Sequence, residues 1–270
     1  MNESHDMHAH EGHHRHENHH EHETSEKVKM VPLWNFQHEP PQNGKKEVLF
    51  IQLNDENGNP IEALEESHEK LMHVIVVSKD LSIFEHVHPE YQGQGKFMVE
   101  ILFPSGGDYK LIAEFAMAGY GSQMISHWVR VNGEEEPEEV LKADSDFTKA
   151  IEGKKITFTF DHLEVGHKVT LTFSIFDANT NEPITDLQPY LGAVGHVVAI
   201  SANAQDFLHI HPINEKGKGP EAKFSAIFPT SGLYKVWGQF LHADTLITVS
   251  YIIEVPQPRL QQELIQGKLH

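Results

Sequence analysis

Two stretches of the chain decide its fold: LMHVIVVSKDLSIFEHVHP (71–89) and VGHVVAISANAQDFLHIHP (194–212). They align without gaps at a constant offset of 123, and three histidines recur at matching positions. A second matching pair follows at an offset of 125, FPSGGDYKLIAEF (103–115) and FPTSGLYKVWGQF (228–240). A repeat of this size indicates two copies of one domain in tandem.

The residue pattern inside each copy is typical of β-structure. Val169, Leu171, Phe173 and Ile175 alternate with polar residues, which is the period of a strand with one buried face. Turn-forming clusters such as NDENGNP and DANTNEP separate such runs at short spacing. A tyrosine follows a glycine-containing turn at the same place in both copies, as in the tyrosine corner of immunoglobulin-like sandwiches. The sequence therefore predicts an all-β protein with two tandem immunoglobulin-like β-sandwich domains.

The repeat and the local composition divide the chain into five segments. Segment 1–27 holds nine histidines and many acidic residues, and it has too few apolar groups to offset the entropy of ordering them. We therefore expect a disordered, metal-binding histidine-rich tail. The predicted segments are the tail (1–30), the first sandwich (31–131), an acidic linker (132–153), the second sandwich (154–257) and a C-terminal tail (258–270).

The composition disfavours several classes of function. The chain has 21 Lys and Arg against 40 Asp and Glu, and the net charge of −19 disfavours nucleic acid as a partner. It has no cysteine, so a metal would be held by nitrogen, oxygen or thioether ligands. No apolar run approaches the ~18 residues of a membrane span, and no signal peptide is visible. The compartment is left open: cytoplasmic as the chain stands, or extracytoplasmic if a signal has been removed.

The recurring histidines are candidates for metal ligands because strand geometry brings them together. His86 and His88 lie two residues apart and share one face of a strand. If this strand forms a hairpin with the one before it, His73 lies opposite His88, with Cβ atoms ~5 Å apart. The same argument groups the equivalent residues of the second copy: His196, His209 and His211. We therefore predict one three-histidine site in each repeat.

A fourth ligand is predicted from the strand after each tyrosine corner. Met117 and His242 occupy equivalent positions at the end of this strand. Imidazole suits copper, zinc and nickel, and a thioether favours Cu(I). The remaining histidines outside the tail have no counterpart in the other copy and are interpreted as surface residues: His38, His68, His127, His162, His167 and His270.

The second copy resembles a bacterial family of small β-sandwich domains. The resemblance rests on Gly195-His196, His209-Ile210-His211-Pro212 and Phe228-Pro229 followed by Gly232 and Tyr234. These features are similar to YtkA-like and FixH-like domains, and through the repeat the likeness extends to both copies. The resemblance implies an immunoglobulin-like or cupredoxin-like fold and a role in copper handling, usually outside the cytoplasm.

The sequence thus predicts a non-enzymatic protein of metal sequestration, trafficking or resistance. The expected ion is copper, as Cu(I) or Cu(II), with zinc or nickel as alternatives, and a metal-delivery protein is a candidate partner. Two other interpretations stay open. One is a cupin-like metalloenzyme, because Glu215 follows His209 and His211 at a cupin-like spacing. The other is a structural or adhesive pair of sandwiches without an ordered metal.

Overall fold

The computed structural model describes residues 28–258. These residues form strands, turns and bends, and no helix, so none of them supplies a helix able to cross a membrane. The predicted disordered tail lies outside the described residues except for 28–30, where Met30 forms an isolated bridge with Asp55. The predicted C-terminal tail lies outside them from residue 259 onward.

The first domain is built from nine strands in two antiparallel sheets. One sheet has the order β1-β2-β7-β6, and the other has the order β3-β8-β4-β5 with β9 paired to β8. The strands are β1 (Leu33–Phe36), β2 (Lys46–Gln52), β3 (Leu64–Glu65), β4 (His73–Ser78), β5 (Phe84–Val87), β6 (Glu90–Gly93), β7 (Lys96–Leu102), β8 (Gly107–Met117) and β9 (Gly121–Val131).

The second domain repeats this plan with eight strands in the order β10-β11-β12-β15-β14-β13-β16-β17. Strand β14 pairs with β13 and then with β15, so it links the two layers of the sandwich. The strands are β10 (Thr148–Ile151), β11 (Lys154–Phe160), β12 (Lys168–Asp177), β13 (His196–Ser201), β14 (Phe207–Pro212), β15 (Glu221–Ile227), β16 (Gly232–His242) and β17 (Thr245–Val255).

Each domain has its own hydrophobic core, and the prediction of two tandem β-sandwiches is confirmed. The alternating residues of β12 supply the core of the second domain, as their period predicts. Tyr109 and Tyr234 are both buried. The Tyr109 hydroxyl donates to the Ser105 carbonyl at 2.9 Å, as a tyrosine corner does, whereas the Tyr234 hydroxyl lies 2.9 Å from the Asp206 carboxylate.

The segment interpreted as a linker differs from that expectation. Strand β10 lies inside residues 132–153 and pairs with β11 along all four of its residues. Phe147, just before it, packs against the core of the second domain. Leu141, earlier in the same segment, packs between the two domains. The apolar residues were too sparse to predict a strand, and β10 forms because an existing sheet edge pairs with its backbone.

A third hydrophobic cluster joins the two domains. All six residues of β4 and all six of β13 are buried, so these strands bury both faces. Val74 and Val76 face the core of the first domain, whereas Ile75 and Val77 contribute to the third cluster. The cluster consists of Ile75, Val77, Leu81 and Ile112 from the first domain and Val198, Ile200, Ala204 and Trp237 from the second.

Equivalent residues make reciprocal contacts across this interface. Lys110 Nζ donates to the Ala204 carbonyl, and Lys235 Nζ donates to the Leu81 carbonyl at 2.8 Å. The lysines match each other at the offset of 125, and the two carbonyl residues match at the offset of 123. Such an exchange of equivalent contacts is the pattern of a two-fold homodimer. The tandem copies therefore pack as a dimer within one chain.

Gly195, directly before the ligand candidate His196, is required by close packing. A Cβ atom there would lie 2.6 Å from the Phe240 ring and 2.8 Å from the Gln239 carbonyl oxygen.

We expect Gly195→Ala to destabilise the protein by about 1–3 kcal/mol through overpacking. Chemical denaturation measures this change. The control is Ala178→Gly, on an exposed turn, which we expect to lower the free energy of unfolding much less. A neutral Gly195→Ala would contradict the packing argument.

Candidate metal centre

The predicted histidines lie on the strands that form the domain interface. Strands β4 and β5 form the expected antiparallel hairpin, with Val74 opposite Val87, and this prediction is confirmed. The ring centroids of His73 and His88 are 5.0 Å apart, and those of His86 and His88 are 4.6 Å apart. In the second domain the rings of His209 and His211 stack at 4.8 Å. Strand geometry alone therefore explains the contacts within each copy.

The two sets of histidines also meet each other across the interface. His73 and His196, at equivalent positions, stack with centroids 5.9 Å apart. The ring centroids of His86 and His196 are 4.5 Å apart, and those of His196 and His209 are 4.4 Å apart. We call the resulting continuous group the histidine cluster; it consists of His68, His73, His86, His88, His196, His209 and His211.

The first possible ligand group is His73, His86 and His196, with ligand atoms within 4.8 Å of one another. His73 Nε2 lies 2.9 Å from the Ser67 carbonyl, which can only accept, so Nε2 carries the proton. His86 Nδ1 lies 2.8 Å from Gln239 Oε1 and donates to it. The lone pairs of His73 Nδ1 and His86 Nε2 then face each other at 3.2 Å.

This separation fits a shared metal ion. Two nitrogens bound at ~2.0 Å to one tetrahedral ion stand about 3.3 Å apart. Without a cation the two facing lone pairs would repel each other. The hydrogen bonds to Ser67 and Gln239 fix the tautomers that such binding requires, which is the usual role of groups behind metal-bound histidines.

His196 completes this group. It is 6% exposed, and neither of its ring nitrogens has a hydrogen-bond partner among residues 28–258. A buried polar group without a partner costs about 1–3 kcal/mol, so native proteins rarely keep one without a function. A metal ion would satisfy one of these nitrogens.

The buried histidines are neutral near pH 7 and therefore have lone pairs available. Burial, together with the neighbouring His88, lowers the pKa of His86 to about 3. Burial likewise lowers the pKa of His88 and of His68 to about 4. Burial also lowers the pKa of His196 well below its usual value, and several neighbouring imidazoles add to this effect.

The second possible ligand group is His68, His209 and His211, again with ligand atoms within 4.8 Å of one another. His209 Nδ1 donates to the Glu114 carboxylate at 2.7 Å, which leaves its Nε2 lone pair for a metal. Burial raises the pKa of Glu114, but the attraction of His209 and hydrogen bonds from His209 and Ser122 outweigh burial and bring the pKa to about 2. The ionised carboxylate therefore lies directly behind a candidate ligand.

The grouping differs from the expected one site per repeat. Each group combines residues of both domains, because the histidine-bearing faces of β4 and β13 point at each other rather than into separate sites. His88 belongs to neither group, although its buried Nε2 has no hydrogen-bond partner within the described part of the chain.

Met117 and His242, the predicted fourth ligands, lie outside the histidine cluster. Strand register places Glu114 opposite His73, and therefore Glu114 faces the interface. Met117 lies three residues after Glu114 on β8, so its side chain points to the opposite face of the strand and packs in the first-domain core. His242 lies at the matching position of β16, and its Nε2 is 3.1 Å from the Asp186 carboxylate.

His68 belongs to the cluster although the sequence analysis interpreted it as a surface residue. Its ring lies 4.8 Å from that of His209 and 5.3 Å from that of His211. It lies in a turn with φ of +50°, and the equivalent turn of the second copy has Leu191 at φ of +55°. The two copies share the turn but not the histidine, so a search for repeated histidines could not find it.

One known family of domains matches each copy of the repeat separately. The profile described as "Domain of unknown function (DUF8832)" matches residues 33–133 and again residues 149–257. The chain belongs to the DUF8832 family. Both DUF8832 segments contain three of the repeated histidines, and the first also contains His68 and Glu114. The resemblance to YtkA-like and FixH-like domains stays a prediction.

Several solved structures share similarity with this DUF8832 protein, and no curated protein sequence matches it. The Escherichia coli adhesin FdeC is 14% identical over 84% of this chain and 66% of its own, with a TM-score of 0.28. The Yersinia pseudotuberculosis adhesin InvE is 11% identical over 83% and 60%, with a TM-score of 0.27. A two-domain fibronectin type III segment of chicken tenascin is 10% identical over 84% and 99%, with a TM-score of 0.25.

This chain spans 66% and 60% of the first two structures. At these identities and TM-scores none of the three likenesses assigns a function. The structural or adhesive interpretation stays open beside metal binding.

Proposed function

We propose that this protein binds transition-metal ions between its two domains and acts in metal sequestration, trafficking or resistance. The observation that carries the proposal is the pair of facing nitrogens, His73 Nδ1 and His86 Nε2, 3.2 Å apart. Both tautomers are fixed by groups behind the rings. His196, whose ring nitrogens have no hydrogen-bond partner among residues 28–258, lies beside them. This is the arrangement expected of a metal-binding group rather than of histidines retained for packing.

Copper is the first ion to test. The candidate ligands are imidazole nitrogens, which suit copper, zinc and nickel, and the chain has no cysteine that could supply a thiolate. The preference for copper over zinc or nickel follows from the resemblance to YtkA-like and FixH-like domains. Segment 1–27 carries nine further histidines, which would collect ions of the same kind.

The binding interpretation is favoured over a cupin-like enzyme. Glu215, the residue that suggested a cupin, is exposed in the loop after β14 and belongs to neither candidate ligand group. The candidate ligands also come from two packed sandwiches, whereas a cupin site is formed within one barrel. The absence of catalysis stays a prediction.

The proposal is tested by calorimetric titration with Cu(I), Cu(II) and Zn(II). The full chain and a chain beginning at residue 28 are compared, because the histidines of segment 1–27 are expected to bind metal on their own account. We expect about two tight equivalents in both chains, since the cluster contains two ligand groups. His86→Ala and His209→Ala, one from each group, should each remove one equivalent.

The matched control is His162→Ala, which changes an exposed histidine of the second domain. It should leave both equivalents unchanged. If the chain from residue 28 binds no more metal than a chain with scattered surface histidines, metal binding by the cluster is wrong. The structural or adhesive interpretation would then be the better one.

A further inference from the structure

We propose that the two ligand groups select ions of different charge. The group formed by His68, His209 and His211 binds a divalent ion, and the group formed by His73, His86 and His196 favours monovalent copper. This inference rests on the proposed metal-binding function. It concerns the difference between the groups rather than the presence of metal.

The inference starts from the two-fold relation between the copies. Glu114 and Gln239 occupy the same position on β8 and β16, at the offset of 125. Each accepts a hydrogen bond from a histidine of the other domain: Glu114 from His209, at 2.7 Å, and Gln239 from His86, at 2.8 Å. The two contacts are equivalent in geometry, but one acceptor is charged and the other is neutral.

A second difference between the copies lies in the same ligand group as Glu114. His68 adds a third imidazole beside His209 and His211, and its counterpart Leu191 adds none beside His86 and His88. The side with the extra histidine is thus also the side with the carboxylate. Two independent substitutions therefore distinguish the halves of an otherwise duplicated centre.

The Glu114 carboxylate affects which ion the group of His68, His209 and His211 can bind. Glu114 is ionised and partly buried, and it holds His209 through a charge-assisted hydrogen bond. A carboxylate behind a ligand histidine strengthens that ligand and offsets part of the charge of the ion. His211 is also exposed, so this group is open to solvent. Both features favour a divalent ion.

The other group lacks a charged acceptor and is more enclosed. His73 and His196 are 4% and 6% exposed, and Gln239 is buried. The Gln239 amide accepts from His86 and donates to Thr248, so the acceptor stays neutral. Placing charge in such surroundings is costly, and the cost grows steeply with the charge of the ion. A monovalent ion is therefore favoured here relative to the open group.

Two reciprocal substitutions, Glu114→Gln and Gln239→Glu, test the inference in the full chain. Both keep the size of the side chain and an oxygen acceptor for the histidine. Zinc affinity is measured by competition with a chelator strong enough to remove ions from the histidine-rich segment 1–27. Cu(I) affinity is measured in the same way under reducing, oxygen-free conditions.

We expect the wild-type chain to bind zinc in two steps of unequal affinity. Glu114→Gln should weaken the tighter step by roughly 10–100-fold, the usual effect of losing a group behind a ligand. Gln239→Glu should tighten the weaker step, and Cu(I) affinity should change less in both variants. His211→Ala should remove the tighter zinc step, which identifies it with the open group.

Two equal zinc steps that neither substitution changes would overturn the inference and leave the proposed function intact. Loss of Cu(I) binding equal to the loss of zinc binding in Glu114→Gln would also overturn it. If neither ion binds to wild type above the level of segment 1–27 alone, the proposed function fails as well, so the two failures are distinguishable.

Discussion

His196→Leu is expected to change the stability of the metal-free and the metal-loaded protein in opposite directions. Both ring nitrogens of His196 are buried without a hydrogen-bond partner among the described residues. Replacing the ring with an apolar side chain removes an unsatisfied group, so the metal-free protein should gain about 1–3 kcal/mol. The metal-loaded protein should lose the stabilisation that its ion provides, about 4 kcal/mol at a metal concentration 1,000 times Kd.

Denaturant unfolding, with chelator and then with Cu(II), measures both changes in the same variant. His162→Leu, at an exposed position, is the control and should alter neither value by more than about 0.5 kcal/mol. A variant that is less stable without metal and equally stabilised by copper would show that His196 serves packing alone. The opposite signs are informative because general damage to the fold would lower both values.

Trp237→Ala is expected to weaken the interface between the domains. The Trp237 side chain is 3% exposed and stacks on Phe84 of the other domain with centroids 4.7 Å apart. Truncating a buried tryptophan typically costs about 3–5 kcal/mol. Because each ligand group takes residues from both domains, metal binding should weaken together with the interface.

Thermal or denaturant unfolding should show two transitions for the variant, since its domains would no longer unfold together, and we expect a single transition for the wild-type chain. Trp128→Ala serves as the control, because this tryptophan is 46% exposed. A single transition at wild-type stability, with unchanged metal affinity, would mean that the third hydrophobic cluster does not couple the domains.

The stability effects expected at His196 and Trp237 both arise from the interface between the domains. The apolar part of the interface holds the two sandwiches together, and the polar part keeps imidazoles in positions that cost stability without an ion. Proteins usually break local packing rules at functional sites and compensate for the cost elsewhere. The reciprocal lysine contacts, Lys110 to Ala204 and Lys235 to Leu81, contribute to that compensation.

The fold class, the duplication and the local histidine pairs all follow from patterns in the amino-acid sequence. A period of two along residues such as Val169 and Leu171 requires a strand with one buried face, and the β4–β5 hairpin follows from its short turn. His86 and His88 are neighbours for the same local reason. Each of these features depends on residues close together in the chain, so the pattern alone predicts it.

Which histidines share a site depends on the packing of the two folded domains against each other. The apolar residues on both faces of β4 require a second packing surface, but they do not identify β13 as its partner. His68 and Glu114 belong to the centre although the other copy has Leu191 and Gln239 at their positions, so a search for repeated residues does not find them. These contacts depend on how two folded sandwiches pack, and that packing energy is distributed over residues far apart in the chain.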